Sequence, residues 1–216
     1  MNTPHIVGIA GLLVLVSLAQ SADLTPRART SAERIAVGTC AGCHGAQGIS
    51  VVPKFPNLAA QPASYIANQL KAFKSKSRGD PDAQAFMWGM AATLNEGEID
   101  ALAQYYSQQR AGHGFSGDHT LSARGKEIYE NGIAARNVPA CNSCHGANGE
   151  GMAEFPRLAG QHSQYFLNQM RSFQSSYRTA DVMQSVVAGL NDSDLTALAA
   201  YMQSMSPMTL SAQTVR

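Results

Sequence analysis

Apolar positions along this chain recur mostly at helical spacing. Ile66, Leu70 and Phe73 follow one another at i, i+4 and i+7, and Phe166, Met170 and Phe173 repeat that stripe. Ile99, Leu102, Ala103 and Tyr106 form another face, matched by Leu195, Leu198, Ala199 and Met202. No sustained alternation of apolar and polar residues marks a strand, so the expected fold class is all-α. Helix starts are also legible. Thr30-Ser31-Ala32-Glu33 reads as a capping box, and Pro62 suits a first helical position. Asn95 with Glu96 and Glu98, and Asn191 with Asp192 and Asp194, place a cap and acids where a helix begins.

One run differs in kind. Ile6 to Ala19 is apolar apart from Gly8, Gly11 and Ser17, and small residues follow at Ala19, Ser21 and Ala22. A spanning helix needs about 20 apolar residues, whereas 10–14 suits the core of a signal peptide. A secretory signal over residues 1–22 and a periplasmic location are expected, although Met1 to His5 carries no Lys or Arg. Retention of the segment as an N-terminal anchor is the alternative.

Self-comparison gives the organisation. Cys40-Ala-Gly-Cys43-His44-Gly-Ala-Gln-Gly48 reappears as Cys141-Asn-Ser-Cys144-His145-Gly-Ala-Asn-Gly149, and Phe55-Pro56-Asn57-Leu58-Ala59 as Phe155-Pro156-Arg157-Leu158-Ala159. Gln61, Tyr65, Asn68, Gln69, Phe73 and Arg78 return as Gln161, Tyr165, Asn168, Gln169, Phe173 and Arg178. Met87 and Leu94 return, at a slightly shorter offset, as Met183 and Leu190. Three glycines between Arg110 and Asp118 interrupt the helical pattern. Two tandem domains are expected, over residues 23–112 and 113–216.

Composition narrows the classes. The formal net charge of +1 over 216 residues argues against a nucleic-acid binder, and 44% hydrophobic content argues against disorder. Four cysteines invite a disulfide reading, but each pair is three apart and runs straight into His, a poor structural staple. A zinc site would bring its two pairs within about 15–20 residues of each other, and a thioredoxin-like motif would need a neighbouring βαβ unit. Cys-x-x-Cys-His is instead the attachment signature of c-type haem. Each thiol adds to one vinyl group, and the His is held beneath the iron. Cys40, Cys43, Cys141 and Cys144 are therefore expected to attach two haem c groups, with His44 and His145 as axial ligands.

A methionine closing the sixth position favours electron exchange and raises the potential. Met87 and Met183 are the pair related by the repeat, each seven residues before the Leu that precedes the closing helix. Met90 rivals Met87 on a similar helical face, but its counterpart Val186 cannot ligate iron. Met202, Met205 and Met208 read as packing or tail residues. His113, His119 and His162 lack partners across the repeat and read as surface or linker groups.

With these motifs, the Phe-Pro-x-Leu-Ala-x-Gln segments at 55–61 and 155–161 and the Met-x6-Leu segments, the chain resembles the two-haem cytochrome c4 family over essentially its whole mature length. The resemblance implies two cytochrome c folds, each wrapped around a covalently bound haem, and single-electron shuttling rather than catalysis. It further implies redox protein donors and acceptors in a respiratory chain, commonly toward a terminal oxidase, and that Pro56 and Pro156 lend their carbonyls to His44 and His145. A haem-bearing subunit of a larger oxidase or dehydrogenase complex is the alternative, and a di-haem peroxidase-like enzyme a more distant one. Peripheral association with the membrane is compatible with either. Lys71, Lys74, Lys76 and Arg78, facing only Arg171 and Arg178 at matching positions, form a candidate docking cluster for an acidic partner.

Overall fold

The computed structural model describes residues 25–115 and 117–206; the apolar run at 6–19, the expected signal at 1–22 and Met208 lie outside them. Within the described residues the elements are helical, and pairing is limited to two isolated bridges, Ile133 with Val138 and Met152 with Phe155. In the first half α1 (Pro26–Ile35) continues through a π-helical turn (Ala36–Cys40) into α2 (Ala41–His44). There follow α3 (Ala63–Lys74), a second π turn (Ala83–Met87), α4 (Trp88–Ala92) and α5 (Glu96–Ser107). The second half repeats the plan with α6 (His119–Asn131), a 3-10 turn (Ala134–Arg136), α7 (Asn142–His145), α8 (Ser163–Gln174), α9 (Asp181–Ala188) and α10 (Asp192–Ser204).

Both Asn caps are complete capping boxes: Asn95 accepts from Glu98 N–H, Asn191 from Asp194 N–H, and each acid reaches back to its Asn N–H. The Thr30 box is not formed. Thr25 caps the helix instead, because Pro26 is pre-set for the first helical position, and Thr30 sits inside α1 bonded to the Pro26 carbonyl. Pro62 likewise falls one residue earlier than expected, as the N-cap of α3.

The first and last helices of each half cross and close its core. Ile66, Ile99, Leu102 and Tyr106 are buried with Ala32 and Ala36 in the first half. Tyr129, Phe166, Met170, Phe173, Leu195, Leu198 and Met202 fill the second. Asp194, fully buried at the start of α10, ties three elements together by accepting from Arg124 of α6 at 2.8 Å and from Arg136 at 2.6 Å. Burial pushes its carboxyl up, but the Arg136 and Arg124 bonds and the capping bond outweigh this and hold it below the ordinary carboxylate range.

Gly125 permits the close crossing of α6 and α10. A Cβ there would lie 2.1 Å from the Ala197 carbonyl oxygen, a backbone atom that no rotamer change can move away. Gly125→Ala is expected to destabilise the haem-loaded protein by about 3 kcal/mol, the upper end for overpacking. For a domain of about 100 residues that lowers Tm by more than about 10 °C. A thermal melt with a fall under about 2 °C would show that the crossing tolerates a methyl group.

Candidate functional site

Each Cys-x-x-Cys-His segment lies at the end of a helical stretch that leaves its cysteines half-buried and turns the histidine inward. His44 and His145 are each only 7% exposed. The following glycines, Gly45 and Gly146, take φ of 75° and 85°, a left-handed turn that reverses the chain beneath the His. At Gly45 a Cβ would meet the Ile49 carbonyl oxygen at 2.1 Å, so this turn excludes a side chain.

Both imidazoles are oriented in the same way. His44 Nδ1 lies 2.9 Å from the Pro56 carbonyl and His145 Nδ1 lies 2.9 Å from the Pro156 carbonyl. That fixes the proton on Nδ1 and leaves Nε2, which has no hydrogen-bond partner among the described residues, with its lone pair directed away. Burial holds both imidazoles below their usual pKa, against an opposing pull from the proline carbonyls, so the ligating neutral form is the favoured one. Phe55 and Phe155 stand edge-on to their histidines, each with centroids 6.1 Å apart.

The four cysteines are unpaired and half-buried. Burial pushes the Cys40 thiol up and takes Cys141 to about 11, so neither is a thiolate near neutrality. Among the described residues no three His, Cys, Asp or Glu side chains gather to hold a bare ion. A structural zinc site takes four protein ligands and a catalytic one three, so the described residues do not make one. Covalent thioether attachment does fit: two unpaired, half-buried thiols lie three residues apart, and the neighbouring His offers one free nitrogen. The buried Tyr106 hydroxyl lies beside the Cys40 thiol and has no oxygen or nitrogen partner among the described residues.

The methionines separate clearly. Met87 ends the π turn and, like Trp88, packs against the cluster of Phe73, Ala83 and Ala91, whereas Met90 is 51% exposed. Phe86, the residue before Met87, stacks edge-on against Phe55 at 5.3 Å, and Phe55 in turn contacts His44. The Met87 segment and the His44 segment thus share one aromatic wall. Met183 lies in α9 against the second core. Met202 is a fully buried core residue and Met205 packs beside it.

Two readings need correction. His162 is no surface group: it is 8% exposed, and its Nε2 lies 2.9 Å from the Ser50 carbonyl of the other half. Arg78 does not belong to an exposed cationic cluster, being 6% exposed in an ion pair with Asp80. The three lysines beside it are engaged within their own half. Lys71 pairs with Glu96, Lys74 donates to the Leu94 carbonyl, and Lys76 lies over the Trp88 ring.

The two halves meet through hydrogen bonds that sequence inspection does not disclose. Gln61 accepts from Arg157 N–H at 2.9 Å and donates to the Arg157 carbonyl at 2.8 Å. Gln161 does the same to Asn57, at 2.9 and 3.1 Å. Arg78 donates to Gln69 and Gln169, each at 2.7 Å, and Arg178 donates to the same two side chains at 3.0 and 2.7 Å. Arg157 is buried without a carboxylate partner among the described residues, donating to the Ala59 and Ala159 carbonyls, and desolvation brings its pKa down to about 10. The recurrence of these Gln and Arg positions across the repeat was the available signal.

The chain is similar to known proteins over both halves. The cytochrome c family model matches twice, over residues 30–109 and 122–206. Cytochrome c4 of Stutzerimonas stutzeri is 34% identical over 207 residues, covering 89% of this chain and 98% of the relative. A protein described as a thiosulfate dehydrogenase electron acceptor, from the same species, is 32% identical over 91% of this chain and 92% of its own. The structure of Acidithiobacillus ferrooxidans cytochrome c4 superposes with a TM-score of 0.73 at 37% identity, covering 76% of this chain and 98% of that one. No described helix is long and apolar enough to cross a membrane.

Proposed function

The chain belongs to the cytochrome c family as a two-haem, c4-type member carrying two covalently bound haem c groups, and from that premise we propose that it shuttles single electrons between protein partners in the periplasm. Cys40 and Cys43 hold one haem and Cys141 and Cys144 the other, through thioether bonds. His44 with Met87, and His145 with Met183, would ligate the two irons. The bound group supplies a reversible one-electron change at iron. The protein's part is to keep both axial donors in place across that change, to bury the site and to tune it through second-sphere hydrogen bonds. The observation that carries this reading is the repeated 2.9 Å bond from His Nδ1 to a proline carbonyl, which leaves Nε2 free beside two unpaired cysteines.

The direction of flow is toward a terminal oxidase, with a membrane respiratory complex or a soluble dehydrogenase as donor. Likeness to a thiosulfate dehydrogenase electron acceptor supports a sulfur-compound dehydrogenase as one such donor, and also the alternative of a haem subunit within a larger complex. The polypeptide reaches the periplasm through residues 1–22 and is organised as domains 23–112 and 113–216.

Purified protein is expected to give two haems per chain, low-spin spectra with a Met–iron band in the oxidised form, and no carbon monoxide binding when reduced. Replacing Cys141 and Cys144 together by alanine should remove one haem of the two and leave the other spectrum intact. A high-spin haem in the unaltered protein would reject the carrier reading in favour of an enzyme.

A further inference from the structure

The cross-half contacts of Gln61 and Gln161 fall on two particular peptide groups. The Arg157 N–H that Gln61 receives belongs to the same peptide unit as the Pro156 carbonyl that holds His145. The Asn57 N–H that Gln161 receives belongs to the same unit as the Pro56 carbonyl that holds His44. A single planar amide therefore stands between each glutamine and the histidine of the opposite half. Both glutamines are 4% exposed, so water does not compete for these bonds.

We propose that Gln61 and Gln161 are positioning residues acting in crossed fashion, each setting the electron-donor strength of the other half's axial histidine through one shared peptide unit.

The peptide is a conjugated dipole. When its N–H donates to a glutamine oxygen, electron density moves toward the carbonyl, and linked hydrogen bonds strengthen one another by about 10–30% per bond. A stronger carbonyl acceptor draws the Nδ1 proton closer and makes the imidazole a more basic ligand, which favours ferric over ferrous iron. Loss of the glutamine should therefore raise the potential of the opposite haem and leave its own haem unmoved. The second bond of each glutamine, from Nε2 to the carbonyl of residue 157 or 57, locks the amide in the orientation the relay requires. This inference rests on the axial roles assigned to His44 and His145 above.

The test is a spectroelectrochemical titration of the full haem-loaded protein. Gln61→Met keeps the side-chain length and removes the acceptor. It is expected to shift the reduction equilibrium of the second-half haem about threefold toward the ferrous state, roughly 28 mV on a scale of 59 mV per tenfold change for one electron. Gln161→Met should shift the first-half haem alone. Each measurement is repeated with Met183→His, which lowers the second-half wave and so identifies it. Gln61→Glu retains an oxygen acceptor and should leave the second-half potential at or below its original value. Ser64→Ala removes another bond between the halves, from Ser64 Oγ to the Ala153 carbonyl at 2.7 Å, without touching either peptide, and should move neither wave.

Shifts confined to each variant's own half, equal shifts in both waves, no shift at all, or a shift with Ser64→Ala as large as with Gln61→Met would each overturn the relay. If Met183→His moves neither wave, the axial assignment of Met183 is what fails. The waves are then assigned with the chain in which Cys141 and Cys144 are both replaced by alanine, which keeps only the first-half haem. The crossed pattern is decided by whether each glutamine variant moves the wave of the opposite half.

Discussion

Replacing Met183 by alanine is expected to open the sixth position of one haem in two, with loss of half the Met–iron absorption and carbon monoxide binding to half the haems. Met87→Ala should do the same at the other site, and Met90→Ala should leave the spectrum unchanged. The expectation follows from placement rather than from methionine content, since flexible methionines also serve as ordinary packing. Met87 packs against the Phe73, Ala83 and Ala91 cluster on the segment that Phe86 and Phe55 join to His44, while Met90 is 51% exposed and its repeat partner is Val186. Removal of a thioether ligand should also lower the potential of the affected haem, because methionine ligation raises it. If Met90→Ala opened the site and Met87→Ala did not, the ligand assignment in the first half would be reversed.

The second large effect concerns stability. Arg78→Met is expected to cost about 3–5 kcal/mol, the usual result of removing one partner from a buried ion pair. Asp80, 2% exposed, would lose the 2.8 Å bond from Arg78 Nε and remain in the interior. Arg178→Met should cost less, about 1.5–3 kcal/mol for hydrogen bonds to a charged group. The repeat places Ala180 where the first half has Asp80, so Arg178 leaves a smaller electrostatic deficit. Denaturant unfolding of the haem-loaded variants measures both, and equal losses would contradict this ordering.

The same pair sets a response to acid. Burial pushes the Asp80 carboxyl up, but the Arg78 charge and hydrogen bond, with help from Gln169 and Arg178, outweigh it and hold the folded pKa below the ordinary 3.8. Between the folded and unfolded values the unfolded chain binds more protons. The contribution is therefore complete above the unfolded value and is lost as pH falls through the folded one. Wild-type protein should lose stability below about pH 4, and Arg78→Met should show a flatter acid limb. Parallel limbs would place the acid sensitivity elsewhere, with Asp194 the next carboxylate to test.

Much of the architecture could be read from spacing. The helical stripes, the Asn caps and the duplicated Cys-x-x-Cys-His segments are local patterns, and local patterns survive in a linear string. What escaped was set by partners about a hundred residues away. Gln61 and Gln161 recur visibly, yet their acceptor and donor roles depend on backbone atoms of the other half. His162 looked superficial because it has no twin, and its partner, the Ser50 carbonyl, leaves no trace in sequence. Arg78 was grouped with its lysine neighbours because adjacency in sequence says nothing of burial. The Thr30 box failed because a competing start at Thr25 and Pro26 came earlier on the same helix.

The crossing of first and last helices in each half has a consequence for biogenesis. α1 needs α5, and α6 needs α10, so each core pairs segments separated by most of its own length. Such contacts close late, since loop entropy must be overcome before they form. A chain emerging end-first cannot complete either core until its closing helix arrives, and until then the cysteines upstream remain reachable for covalent modification. The topology thus leaves, in each half, an interval before the closing helix arrives in which attachment is sterically open.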